Sequence, residues 1–183
     1  VLVIVLIFLY WNHSQNIKAE KSSTLLGKAQ LEYQNLNYSK AKEFITELRE
    51  EYPGTEAAEQ GMFLYANLLY QEKKYAEAKD YYKEFIDSYS GSNILIASGL
   101  AGYAACLEEE KQYEEAAEYY IKAQDKAEKF VQAPVYLYLA GLDYASAGEY
   151  DKAREAFKTI VNDYENSKRY TDAKAELILL AQK

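Results

Sequence analysis

A short phrase, a tyrosine followed three residues later by an alanine, recurs four times along this chain of 183 residues. It reads Tyr38-Ser-Lys-Ala41, Tyr75-Ala-Glu-Ala78, Tyr113-Glu-Glu-Ala116 and Tyr150-Asp-Lys-Ala153, so that successive alanines are separated by 37, 38 and 37 residues. A constant period of this length is typical of repeat architectures, in which each unit is too small to bury its own apolar face. The phrase therefore predicts a stack of similar units.

Apolar residues at three- and four-residue spacing predict a helical hairpin in every unit. In the third unit, the two apolar stripes comprise Leu100, Tyr103, Ala104 and Leu107, and then Tyr113, Ala116, Tyr120 and Ala123. Small residues recur at two equivalent sites, Ala66, Ala104 and Gly141 at one and Ala78, Ala116 and Ala153 at the other. A small side chain at these sites lets two helix backbones approach closely.

The junctions between units also share a pattern: Tyr52-Pro-Gly-Thr55, Tyr89-Ser-Gly-Ser92 and Tyr164-Glu-Asn-Ser167. We expect Gly54, Gly91 and Asn166 to end a helix in the left-handed conformation. Thr55, Ser92 and Ser167 are then expected to cap the helices that follow. The junction after the third unit lacks this pattern, and a longer helix is expected there before a restart with Pro134 in the first turn.

These residues resemble the tetratricopeptide repeat, a helix-turn-helix unit with small residues and aromatics at fixed positions. The resemblance implies an all-α, right-handed superhelical solenoid of about four hairpins, and the period here exceeds the usual 34 or so residues. The predicted repeat domain spans residues 22–183, with units at about 22–54, 55–91, 92–133 and 134–166 and a capping helix at 167–183. The cap contains Leu177-Ile178-Leu179-Leu180, which is apolar on more than one face and could alternatively be a docking edge.

The first eleven residues, Val1 to Trp11, are uncharged and apolar, but a helix that crosses a bilayer needs about 20 apolar residues. Because the sequence begins without Met, we expect residues 1–11 to be the C-terminal part of a transmembrane anchor helix. Tyr10 and Trp11 would then lie at the membrane interface, and residues 12–21 would form a juxtamembrane spacer. A signal peptide and a buried soluble helix are the alternatives. The weakly charged downstream flank favours a domain that faces outward.

Composition argues against several classes of function. The net charge of −8 disfavours nucleic-acid binding, which needs a basic surface. His13 is the only histidine and Cys106 the only cysteine, which disfavours a histidine-based metal site and excludes an intrachain disulfide. No glycine-rich phosphate loop or calcium loop is present. We therefore expect no cofactor, no metal and no enzymatic activity.

The resemblance also implies a concave surface lined by the first helix of each unit. The partner-binding residues predicted on it are Tyr33, Gln60, Phe63, Asn67, Tyr70, Tyr138 and Leu142. Some family members bind a peptide carboxylate there with Lys, Arg and Asn, but only Asn67 fits that set. The aromatic and small residues instead favour an apolar segment of another protein.

An anchor, a spacer and acidic repeats together resemble the YfgM-like bacterial membrane proteins. That resemblance implies a single-pass inner-membrane protein whose repeats face the periplasm, as a scaffold or ancillary chaperone near the translocon, envelope chaperones or secreted clients. The alternative is a structural subunit of a large envelope complex, such as secretion or motor machinery, that uses convex or terminal surfaces.

Overall fold

A computed structural model describes residues 2–183. The described residues form nine α-helices and no strand: α1 (Leu2–Gln34), α2 (Tyr38–Glu51), α3 (Glu56–Gln71), α4 (Tyr75–Ser88), α5 (Asn93–Glu109), α6 (Tyr113–Lys126), α7 (Ala133–Ala147), α8 (Tyr150–Asp163) and α9 (Tyr170–Leu180). Each helix packs against the next, and α1 also contacts α3. The all-helical fold class is confirmed.

The recurring tyrosine marks the first residue of every second helix. Helices α2, α4, α6 and α8 begin at Tyr38, Tyr75, Tyr113 and Tyr150, and each is 14 residues long. The alanine three residues later is fully buried in all four helices. The phrase therefore fixes both the start of the second helix and the side that packs against the first helix.

The turn inside each hairpin contains a residue in the left-handed conformation. These residues are Leu36 (φ 63°), Lys73 (φ 60°), Lys111 (φ 62°) and Gly148 (φ 86°), again separated by 37, 38 and 37 residues. The next residue donates its backbone N–H to a carbonyl five residues earlier, as from Lys74 to Leu69 at 2.9 Å. This hydrogen bond satisfies a carbonyl that the helix end leaves free.

The junctions between units differ more than their sequences predict. Gly54 adopts φ 68° and Thr55 accepts a hydrogen bond from the Ala58 N–H at 3.2 Å, as expected. Among the described residues, neither Gly91 nor Asn166 has a positive φ, so that prediction is wrong at both positions. Ser92 does not cap α5 with its side chain.

The Tyr89 side chain takes over part of the expected role of Ser92. Its hydroxyl accepts a hydrogen bond from the Ser92 N–H at 3.1 Å and donates one to the Glu56 carboxylate at 3.2 Å. The hydroxyl thus ties the start of α5 to the start of α3. A buried tyrosine ring with a hydrogen-bonded hydroxyl satisfies both parts of this side chain.

The connection between α6 and α7 corrects another expectation. Helix α6 has the same length as its counterparts and ends at Lys126, so the longer helix predicted there is wrong. Residues 127–132 form turns before α7 begins, and Pro134 lies in the first turn of α7 as predicted. Phe130 and Val131 in this connection are exposed by 41 % and 81 %.

Helix α1 runs without a break from the apolar segment into the repeats. Residues 12–21, the predicted spacer, belong to this helix, and its first side chains buried against the repeats lie between Ser22 and Ala29. Val1, the first residue of the predicted anchor, lies outside the described residues. At the other end of the chain, α9 packs on α8 and buries Ala173 and Leu180.

Candidate functional site

The predicted groove residues lie on the first helices of their units and are half-buried. Gln60, Phe63, Asn67 and Tyr70 are on α3, Tyr138 and Leu142 on α7, and Tyr33 on α1. On α5 the same register holds Ser98, Ala101, Ala105 and Glu108, which are also half-buried. These side chains are packed on one side and accessible on the other.

On α3, most of the predicted residues are held by contacts within the second unit. The Phe63 ring centroid lies 5.3 Å from that of Phe85, and the Asn67 Oδ1 atom accepts a 2.6 Å hydrogen bond from the Tyr82 hydroxyl. Tyr70 contacts Tyr75 edge to face at 5.2 Å between centroids. Burial, with a smaller contribution from the charge of Glu109, raises the pKa of Tyr70 to about 12. Tyr70 is therefore a neutral side chain at physiological pH.

On α7, Tyr138 is partly covered by the C-terminal helix, which the sequence did not predict. Its ring centroid lies 5.6 Å from that of Phe157, and the Arg169 guanidinium carbon lies 4.9 Å from the same centroid. Its hydroxyl donates to the Glu176 carboxylate at 3.5 Å. Leu142, one turn further along α7, is not part of these interactions.

At the other end of the stack, Tyr33 lies against Tyr38, with 5.8 Å between ring centroids.

A polar cluster that the sequence analysis missed lies where the third and fourth units meet. The Tyr120 hydroxyl on α6 donates to the Glu108 Oε2 atom on α5 at 3.1 Å. Asp143 on α7 is only 4 % exposed, and its Oδ2 atom has no hydrogen-bond partner among residues 2–183. Burial, and then the nearby charge of Glu108, raises the pKa of Asp143 to about 7.

The repeat register contained the signal for this cluster. Asp143 occupies the site that holds Leu68 in the second unit and Cys106 in the third, at steps of 38 and 37 residues. Both counterparts are fully buried. An acidic residue in an otherwise apolar series therefore predicts a departure from simple packing.

Cys106 is buried, and burial raises its pKa to about 12, which keeps the thiol protonated and a poor nucleophile. Within residues 2–183, no group of three or more His, Cys, Asp or Glu side chains is arranged to hold a metal ion.

The N-terminal half of α1 exposes apolar side chains on every side. From Leu2 to Trp11 each is at least 48 % exposed, with Tyr10 at 77 % and Trp11 at 56 %. No helix within residues 2–183 combines the length and the apolar composition needed to cross a membrane. A helix that is apolar all round normally lies in protein or lipid rather than in water.

Similar proteins support the fold. Pseudomonas aeruginosa PilF superposes with a TM-score of 0.70 at 19 % identity, over 90 % of this chain and 71 % of that one. BtubC from P. vanneervenii gives 0.72 at 14 % identity, over 93 % and 76 % of the two chains. MamA from Desulfovibrio magneticus RS-1 gives 0.61 at 15 % identity, over 90 % and 96 %.

At these identities the structural similarity concerns the fold alone. None of the curated proteins matches the chain in sequence. The sequence profile of the tetratricopeptide repeat-like domain, however, matches residues 1–178. The chain therefore belongs to the tetratricopeptide repeat-like domain family.

Proposed function

We propose that this protein is a membrane-anchored scaffold that holds an apolar segment of a partner protein on the first helices of its repeats, without catalysing a reaction. The observation that carries the proposal is the series of half-buried aromatic and small side chains at one register of α3, α5 and α7. Protein binding is the general role of this fold, and the nature of the bound segment follows from the side chains at this register.

The chemistry of this surface favours an apolar segment. Apolar area is provided by Phe63 and Tyr70 on α3 and by Leu142 on α7. The middle of the surface, on α5, carries only the small side chains of Ala101 and Ala105 at this register. No Lys or Arg occupies the predicted groove positions, so the first helices themselves offer no cation to a free peptide carboxylate, and Arg169 over the Tyr138 ring comes from the C-terminal segment. An extended or helical segment could bury its side chains against these residues.

The anchor part of the proposal is supported by the exposed apolar residues 2–11. These residues lead without a break into a helix that packs on α2 and α3. Tyr10 and Trp11 end the apolar run, at the position where aromatic side chains favour a membrane interface. We propose an inner-membrane location with the repeats in the periplasm, where the protein would act as an ancillary chaperone or translocon-associated factor.

Site-specific crosslinking in intact cells tests the groove. A photoreactive amino acid at Leu142 should yield protein adducts, whereas one at Lys158, an exposed position on α8, should not. Ala101→Glu places a charge on the proposed surface without emptying the core and should abolish the Leu142 adducts. Ala147→Glu, at an exposed alanine, is the matched control. Adducts at Leu142 that persist in Ala101→Glu would remove the groove from consideration.

Thiol labelling tests the orientation. Ser14→Cys introduces an exposed thiol just after the apolar run, while the buried Cys106 gives little background. A membrane-impermeant maleimide should label Ser14→Cys in intact bacteria if the repeats are periplasmic. Labelling only after the cells are lysed would contradict this location, and recovery of the protein in the soluble fraction would contradict the anchor.

A second candidate, a structural subunit of an envelope complex, is favoured by the terminal helix. Ile178 and Leu179 on α9 are 65 % and 58 % exposed, and they form an apolar edge at the end of the stack. In that case a photoreactive residue at Ile178 would give adducts that Ala101→Glu leaves unchanged.

A further inference from the structure

Each unit packs against the next through an equivalent pair of side chains. One member lies on the second helix of a unit, and the other lies on the first helix of the next. The four pairs are Ile45 with Leu68, Tyr82 with Cys106, Tyr120 with Asp143, and Phe157 with Leu180. In every pair except that of Tyr120 and Asp143, both members belong to the same apolar cluster. The pair of Tyr120 and Asp143 differs because it places a carboxyl group at a buried site.

Packing gives no reason for a carboxyl group at this site. Asp143 is 4 % exposed, its Oδ2 atom has no partner, and no ion pair among residues 2–183 includes it. A buried polar group without a partner destabilises a fold, and leucine at the equivalent site in α3 shows that the architecture accepts an apolar residue. Residues 2–183 therefore supply no partner for this buried oxygen.

The groups that face Asp143 define what that partner must be. Burial, and then the charge of Glu108 on α5, raises the pKa of Asp143. Burial, and then the charges of both carboxyl groups, raises the pKa of Tyr120 on α6. The Tyr120 hydroxyl already donates its proton to Glu108. No Lys or Arg within residues 2–183 is among the groups that shift the pKa of Asp143, and two neighbouring carboxyl groups favour a positive charge between them.

The cluster also adjoins the accessible side of the first helices. Glu108 is half-buried and lies at the groove register of α5. In the second unit, the Tyr82 hydroxyl donates to the Asn67 side chain, and the residue equivalent to Asn67 in the third unit is Ala105. Because alanine has no amide to accept from Tyr120, the Tyr120 hydroxyl donates to Glu108 instead.

We propose that Glu108 and Asp143 together bind one lysine or arginine side chain of the segment held in the groove. The inference rests on the proposed function and adds to it: the bound segment is apolar and carries a single cation. The side chain would donate hydrogen bonds to both carboxylates, and its charge would replace the missing partner of Asp143. The position of the cluster fixes the register of the segment across the third and fourth units.

Binding of a cation must be linked to the release of a proton. Asp143 has a raised pKa of about 7, so it is largely protonated at pH 6 and largely ionised at pH 8. The cation favours the ionised form and lowers this pKa. Affinity for the cation is therefore expected to rise between pH 6 and pH 8.

Small probes test the site without a natural partner. The carboxyl ¹³C resonance of Asp143 is followed against pH at constant ionic strength, with n-butylammonium, n-butylguanidinium or the neutral N-butylurea. Either cation should lower the apparent pKa of Asp143 by about one unit or more, and N-butylurea should leave it unchanged. The shift should be reduced in Glu108→Gln. An equal response to the cations and to N-butylurea would overturn the proposal.

Peptides separate this inference from the proposed function. A blocked peptide of nine residues, leucine and alanine around a central arginine, is compared with the same peptide carrying citrulline. The arginine peptide should bind about tenfold more tightly at pH 8, and Asp143→Leu should remove that preference. Equal binding of both peptides would overturn the cation site but leave the groove in place. If neither peptide binds while the butyl cations still shift the pKa, the cation site holds and the groove proposal fails.

Discussion

Two junctions of the stack place different side chains at equivalent positions of the repeat: the junction between the first and second units, and that between the third and fourth. The first pairs Ile45 with Leu68, both fully buried hydrocarbon. The other pairs Tyr120 with Asp143, whose Oδ2 atom has no hydrogen-bond partner in the described part of the chain. The comparison shows that the fold requires only a buried side chain of suitable size. Leucine and cysteine at this register leave no buried polar group unpaired, whereas the carboxyl group of Asp143 does, and that unsatisfied group is what indicates a function.

The largest expected effect comes from removing an aromatic ring at an apolar junction. Phe157 on α8, the counterpart of Tyr120, is fully buried with its ring against α7, and the added Cβ of any residue at Gly141 would lie 2.5 Å from that ring. Phe157→Ala should lower the free energy of unfolding by about 3–5 kcal/mol. Urea denaturation followed by circular dichroism measures the loss. The control is Phe130→Ala, at an exposed ring, and equal losses in both variants would contradict the assigned burial.

Replacing Asp143 should do the opposite and stabilise the protein. Its pKa is raised from 3.8 to about 7, so the folded form holds a proton that the unfolded chain releases from about pH 4 upward. The stability due to this proton is present below pH 4 and is lost as the pH rises through 7. Asp143→Leu should therefore increase the free energy of unfolding at pH 8 by about 2–4 kcal/mol.

The pH dependence separates this effect from simple packing. The gain in unfolding free energy from Asp143→Leu should be smaller at pH 5 than at pH 8. At pH 5 the parent protein has lost only part of the stability that the proton on Asp143 provides, whereas at pH 8 it has lost nearly all of it. Asp125→Leu, at an exposed position of α6, should show no such trend. A gain that is the same at both pH values would mean that Asp143 is solvated in the folded state.

The sequence predicted the hairpins because their signal is local. Tyrosine and alanine at the start of each second helix, repeated in phase, fix which face is buried. Of the residues predicted to be left-handed, only Gly54 is, because glycine and asparagine at the junctions between units were taken as the markers of this conformation. Leu36, Lys73 and Lys111 adopt this conformation without glycine, since the helix-ending hydrogen bonds and the packing of both helices determine the turn.

The site was harder to predict because its contacts join different helices. The groove positions follow from the repeat register, but nothing in the register places Arg169 over the ring of Tyr138. Asp143 could have been found by aligning the units. Its proximity to Glu108 could not, because that depends on how α5 and α7 are positioned around α6.

The alanines of the recurring phrase test whether the units are equivalent. Ala78, Ala116 and Ala153 are all fully buried at the same register. Ala116→Leu should therefore lower the free energy of unfolding by about 1–3 kcal/mol through overpacking. Ala78→Leu and Ala153→Leu should fall in the same range, and Ala147→Leu, at an exposed site, should have little effect. Thermal unfolding measures all four, and an unchanged melting temperature in Ala116→Leu would show that the assumed repeat phase is wrong.

The smallest expected effect compares two junctions whose sequences look alike. Thr55 accepts a hydrogen bond from the Ala58 N–H at the start of α3, whereas the Ser92 side chain makes no such bond at the start of α5. Thr55→Ala should lower the free energy of unfolding by about 1 kcal/mol, while Ser92→Ala should change it by only a few tenths. Tyr89→Phe removes the hydroxyl that binds the Ser92 N–H and should have a larger effect than Ser92→Ala. If Ser92→Ala has the larger effect, the serine caps α5 in solution and the two junctions are equivalent.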